Sequence, residues 1–97
     1  MTTKVIFKKF NNGDKEVIAF FPEIPGNNDA YSTCTCYQHI GQHGIASLDF
    51  AADCTPAKEE EYKDLLTELV SIGYDDLKIS RKFTQKDLQK RLDACKV

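Results

Sequence analysis

Between Cys34 and His43 the chain reads Cys-Thr-Cys-Tyr-Gln-His-Ile-Gly-Gln-His, the densest run of chemically able side chains in its 97 residues. Two thiols and two imidazoles make a possible zinc set. The spacing works against it. On an extended strand Cys34 and Cys36 face one side and His39 the other, so Cys34, Cys36, His39 and His43 converge only if the chain bends sharply before His39. Zinc modules commonly separate two ligand pairs by a longer stretch that folds around the metal. A thiol nucleophile, Cys34 or Cys36 activated by His39 or His43, is the second chemistry. Neither thiol is followed by a glycine-rich elbow or a helix start that would activate it. The expectation is two small buried cysteines packed under a helix, with no catalytic residue, no metal and no cofactor.

The same run supports a binding loop. Gly41-Gln42-His43-Gly44 has two glycines that let backbone amides approach a partner, while Gln42, His39 and His43 offer donors and acceptors. Tyr37 would supply an apolar platform beside them. The composition serves an ordinary polar connection between strands equally well.

Charge along the chain forms a second candidate surface. Residues 1–48 are balanced, residues 49–76 hold nine acidic against two basic side chains, and residues 77–97 hold seven basic against two acidic. Lys78, Arg81, Lys82, Lys86, Lys90 and Arg91 make up most of the basic zone. Such a zone suits phosphates, although it lacks interleaved exposed aromatics and any nucleic-acid motif. The alternative is that it lies beside the acidic helix of the same fold, or of a second copy.

These residues need elements to position them. Lys4–Phe10 and Lys15–Phe21 are rich in β-branched and aromatic residues, and Asn12-Gly13 between them favours a two-residue turn. Closing that turn with Asn11 and Asp14 would set Lys9 opposite Glu16, Phe7 opposite Ile18 and Val5 opposite Phe20. Pro22 to Asp29 then reads as a loop, and Ala30–Ile40 as a third strand antiparallel to one of the first two. Its Tyr31, Thr33, Thr35 and Tyr37 share one parity, with Cys34 and Cys36 on the other. Ile45–Phe50 suggests a short fourth strand, with Ala46, Leu48 and Phe50 on one face.

Thr55-Pro56 predicts the start of the main helix, Pro56–Ile72, with Tyr62, Leu65, Leu66, Leu69 and Val70 as its apolar stripe. Gly73 fits a left-handed terminator, and Tyr74 could pack back on Leu69 as in a Schellman motif. Leu77–Arg81 reads as a last strand. Thr84-Gln-Lys-Asp87 resembles a capping box that opens a second helix at Gln85, docked by Leu88, Leu92 and Cys95, with Phe83 and Leu88 as a staple.

Composition sets the frame. With 41% hydrophobic and 29% charged residues the chain is ordinary globular material, and its formal charge of −2 excludes a strongly basic binder. No apolar run reaches the length of a membrane span. The first ten residues lack the pattern of an export signal, so the expected compartment is the cytoplasm and the four cysteines are expected as thiols.

Four blocks carry a resemblance: Phe20-Phe-Pro-Glu-Ile-Pro25, Tyr37-Gln-His-Ile-Gly-Gln-His43, Thr55-Pro56 with Glu61-Tyr62, and Ser71-Ile-Gly-Tyr-Asp75 with Leu77-Lys78. Together they resemble a family of small uncharacterised bacterial proteins, also met in phage and mobile-element genomes. The resemblance implies a bacterial or phage cytoplasmic origin and directs attention to Tyr37–His43. It implies no activity, ligand or catalytic residue.

The sequence therefore predicts one α+β domain over 1–97. A mostly antiparallel sheet of four or five strands packs against one main helix, with a short C-terminal helix and one sheet face wet. The expected function is non-enzymatic binding to another protein, with no membrane partner. Nucleic-acid association through the basic C-terminal zone is the alternative, and a Cys/His metal site the third.

Overall fold

Val5-Ile-Phe and Val17-Ile-Ala-Phe-Phe21 are apolar at both parities, and a strand of that kind is stable only when covered on both sides. The computed structural model, which describes residues 2–10, 16–38 and 42–95, places them at the centre of a sheet. Strands β1 (Thr3–Lys9), β2 (Val17–Phe21), β3 (Thr33–Gln38) and β4 (Gln42–Ser47) form an antiparallel series in spatial order β4-β3-β2-β1. The outer edge of β1 is shared. Two-residue β5 (Thr55–Pro56) pairs antiparallel with Lys9 and Lys8, and β6 (Leu77–Ser80) pairs parallel with Thr3–Ile6. Helices α1 (Leu48–Asp53), α2 (Glu59–Ser71) and α3 (Gln85–Cys95) complete an α+β fold.

Each sheet face has its own core. One gathers Val5, Phe7, Ala19, Phe21 and Tyr37 under Leu65 and Leu69 of α2, with Tyr62 stacked on Phe7 at 4.4 Å between ring centroids. The other gathers Ile6, Ile18, Phe20, Cys34, Cys36 and Ala46 under Ala51 of α1, Cys54 and the half-buried Phe83. The expected wet face does not exist. Removing Phe20 or Phe21 from water, both 0% exposed, contributes about 2–3 kcal/mol each.

Three further expectations change. The hairpin is shifted by one residue: Phe7 faces Ala19, Lys8 faces Ile18 and Lys9 faces Val17, with the Phe10 N–H donating to the Glu16 carbonyl at 3.2 Å. The Asn12-Gly13 turn lies outside the described residues. The shift joins side chains that belong to the same core, Phe7 with Ala19 and Ile6 with Phe20.

The main helix starts later than Pro56. Thr55 and Pro56 are extended along β1, and the Ala57 N–H donates to the Phe7 carbonyl at 3.0 Å, so sheet pairing overrides the local helix signal. The helix instead begins after Lys58, whose N–H is accepted by the Glu61 carboxylate at 2.9 Å. Likewise Leu48 and Phe50 are helical, with the Phe50 N–H reaching Ser47 Oγ at 3.4 Å.

Other local signals hold. At the end of α2 the Tyr74 N–H bonds the Leu69 carbonyl and the Gly73 N–H the Val70 carbonyl, and Gly73 has φ 121°, the geometry of a Schellman end. At the start of α3 the Thr84 N–H donates to Asp87 Oδ2 at 2.7 Å. The docking side of α3 is nonetheless polar: Asp87 and Arg91 are its buried residues, and Leu88 and Leu92 are half-buried. Among the described residues no helix is long and apolar enough to cross a membrane.

Candidate functional site

Strand parity decides the fate of the Cys/His run. Cys34 and Cys36 point into the core under α1, the face away from α2, so they do not lie under the main helix. Tyr37 belongs to the other core, and His43, its cross-strand partner, packs edge-on against it at 4.9 Å. Thiols and imidazole are thus separated by the sheet itself, and no metal-holding cluster occurs among the described residues. His39 and Gly41 lie outside the described residues. Burial pushes the Cys34 thiol up to about 12, with the opposing Arg91 charge a smaller effect, and burial raises Cys36 as well. Both are kept in the unreactive thiol form.

The binding-loop reading changes too. Gln42, His43 and Gly44 belong to β4, and Tyr37 is 1% exposed, so it is no platform; its hydroxyl donates to the Glu68 carboxylate of α2. His43 keeps its exposure. Its Nε2 sits 2.8 Å from the Tyr74 hydroxyl, and Tyr74 stacks on Phe21 at 5.0 Å. Burial raises the Tyr74 phenol. Nothing in the local sequence joins His43 to Tyr74, 31 positions away, because the contact exists only once α2 lies across β2 and β3.

Strand β4 ends the sheet, and among the described residues no strand pairs with its outer side. The Leu48 N–H bonds the Ser32 carbonyl at 2.9 Å, while the Thr35 N–H turns away from β4 to the Ile24 carbonyl at 2.8 Å. Antiparallel alternation then makes Gly44 and Ala46 the hydrogen-bonded partners of Cys36 and Cys34, and turns the N–H and C=O of His43 and Ile45 outward. Ile45 is 59% exposed. The strand carries no Lys, Asp, Glu or Pro, the residues that commonly blunt an edge.

The basic zone divides. Arg91 is structural: it is 4% exposed, with Nε donating to the Ala30 carbonyl at 2.7 Å and Nη1 to the Pro22 carbonyl at 2.6 Å. Lys90 meets Glu23 at 2.6 Å, a hydrogen bond that raises its ammonium above the usual lysine range. Lys78, Arg81, Lys82 and Lys86 are exposed. Acidic α2 covers one sheet face and Asp87 anchors α3 to Lys4 on the other, but acidic α1 shares the α3 face and Arg81 lines a cleft with Glu59 of α2, so the two charge zones meet in the fold.

Sequence reasoning passed over two lysines. Lys4 holds the Asp87 carboxylate at 2.8 and 2.9 Å. Lys8, 8% exposed, donates to the Ala51 carbonyl at the end of α1 at 2.7 Å and lies 5.5 Å from the centre of the Phe83 ring. Their apolar neighbours in β1 were the available signal, since a lysine between buried positions must find a partner. No family model, curated protein or solved structure matches this chain.

Proposed function

We propose that this protein is a non-enzymatic binding module that takes an extended segment of a partner protein along the edge of β4. The observation that carries this reading is the uncharged edge itself, with the peptide groups of His43 and Ile45 turned outward and the Ile45 side chain exposed. Strand addition draws affinity from main-chain hydrogen bonds and selectivity from side chains at alternate positions. Here the alternate positions are His43, beside Tyr74, and Ile45.

The surrounding charge favours an apolar segment with a basic flank. Glu68 bonds Tyr37, the residue opposite His43, and Asp75 and Asp76 follow Tyr74. The far side of the sheet offers no comparable edge, since β6 carries Lys78 and runs into Arg81 and Lys82. A resemblance to small bacterial and phage proteins makes host or phage components the place to seek the partner.

Selection from a random displayed-peptide library tests the reading. Enriched peptides should slow amide exchange at His43 and Ile45, and Ile45→Pro should abolish binding while leaving the thermal melt nearly unchanged, because the amide it removes points outward. Absence of enrichment, or peptides that protect other amides, would end it.

A second reading, nucleic-acid association, draws on the exposed Lys78, Arg81, Lys82 and Lys86. A gel-shift titration at two salt concentrations separates it, since phosphate contacts weaken steeply with salt.

A further inference from the structure

We infer that the cleft between β1, β6 and α3 binds the phosphate group of a small organic phosphate. The cleft has a volume of about 510 Å³, within the range of small-molecule sites. It lies apart from the β4 edge and does not depend on that reading.

Charge counting inside the cleft indicates the ligand. Among the described residues four lysines line it, Lys4, Lys78, Lys86 and Lys90, against two carboxylates, Glu23 and Asp87. Lys4 is paired with Asp87 and Lys90 with Glu23. Neither Lys78 nor Lys86 has a carboxylate partner among the described residues. Two positive charges therefore remain, which match the charge of −1.5 to −2 on a phosphate monoester near neutral pH.

Geometry supports the count. Lys4 and Lys78 are directly paired in the β1–β6 register, two like charges side by side on one face. Asp87 already answers the Lys4 charge, so an anion seated between the two ammoniums answers that of Lys78. Ser80, two residues on from Lys78, shares its face, and Thr84 stands at the start of α3, so hydroxyl donors lie among the ammoniums. Each ammonium has three N–H donors, which leaves Lys4 and Lys90 with donors beyond their carboxylate bonds.

The same features disfavour a nucleic-acid strand as the occupant. Among the described residues no aromatic side chain lines the cleft to stack a base, and its charge is gathered in one recess instead of strung along a groove.

Amide-resolved NMR of the full chain, titrated with inorganic phosphate, phosphoserine and a short DNA duplex in separate arms, tests the site. Phosphate and phosphoserine should give saturable shifts at Lys78, Ser80, Thr84 and Lys86. Lys78→Gln and Lys86→Gln should each weaken binding by about tenfold, whereas Arg81→Gln, outside the cleft, should leave it unchanged. Absence of saturable shifts through the millimolar range, shifts centred elsewhere, or binding by the duplex alone would overturn the proposal.

Discussion

The Lys4 ammonium and the Asp87 carboxylate meet at 2.8 and 2.9 Å although 83 positions separate them, and both side chains are largely withdrawn from water. Asp87 also accepts the Thr84 N–H, so one carboxylate both starts α3 and fastens it to β1. The pair explains how a helix with few buried apolar residues stays docked.

Asp87→Ala should therefore cost about 3 kcal/mol, since it removes the cap and leaves Lys4 without its partner in a nearly dry position. Urea unfolding followed by circular dichroism measures this. Asp87→Asn should lose less, because an amide oxygen can still accept the Thr84 N–H. An equal loss in both variants would show that the charge pair dominates and the cap contributes little.

Arg91 fastens the other end of the helix by spanning the Ala30 and Pro22 carbonyls. A lysine has one nitrogen and cannot reproduce the fork, so Arg91→Lys should cost about 1–3 kcal/mol. In a gel shift at low salt it should also leave any DNA affinity unaltered, as its guanidinium is buried. A clear drop in affinity at unchanged stability would place Arg91 at the surface, contrary to its 4% exposure.

Two glycines make different demands. A Cβ on Gly26 would sit 2.6 Å from Ile45 Cγ2 and 2.9 Å from the Cys34 carbonyl oxygen. Gly26→Ala should lose about 1–3 kcal/mol by overpacking, and adding Ile45→Ala should restore only part of it, because the carbonyl cannot retreat as a side chain can. A Cβ on Gly73 meets nothing within 4 Å, so Gly73→Ala should cost about 1 kcal/mol through its φ of 121° alone. Thermal melts of the three variants would rank them.

Burial raises the thiols of Cys34, Cys36 and Cys54 above their ordinary value of 9.0. The unfolded chain then releases these protons at lower pH than the native one. The stability they contribute is fully present below about pH 9 and declines as pH rises toward about 12, the value for Cys34. Native protein treated with a thiol reagent at neutral pH should react at one cysteine, the half-buried Cys95, and at all four after denaturation. Fast reaction of Cys34 in native protein would contradict its place in the core.

How much of this was legible depends on the range of the interactions involved. The Schellman end at Gly73, the Thr84–Asp87 cap and the positions of β1, β2, β3 and β6 were readable because each is set within a few residues, whereas the fourth strand was placed three residues too late. Alternation in an extended strand already set Cys34 and Cys36 apart from His39, which was enough to weaken the metal reading. The apolar character of β1 and β2 at both parities was also visible, and it indicated two covered faces more directly than the two-layer expectation allowed.

Long-range pairing decided the rest. The strong helix start at Thr55-Pro56 yielded to β1, whose edge needed those peptide groups more than the helix did. The hairpin register followed the two cores, since pairing Phe7 with Ala19 matches side chains that one sheet face must bury together. Arg91 looked like a surface cation until two carbonyls from the Pro22–Ala30 loop enclosed it. The amino-acid sequence by itself determined the central parts of β1, β2, β3, β6, α2 and α3, how α2 ends and α3 begins, and how charge is distributed along the chain. Only the tertiary structure decided which edge stays open, which lysines face each other and which charges are buried, because those outcomes depend on contacts between residues that are neighbours only after folding.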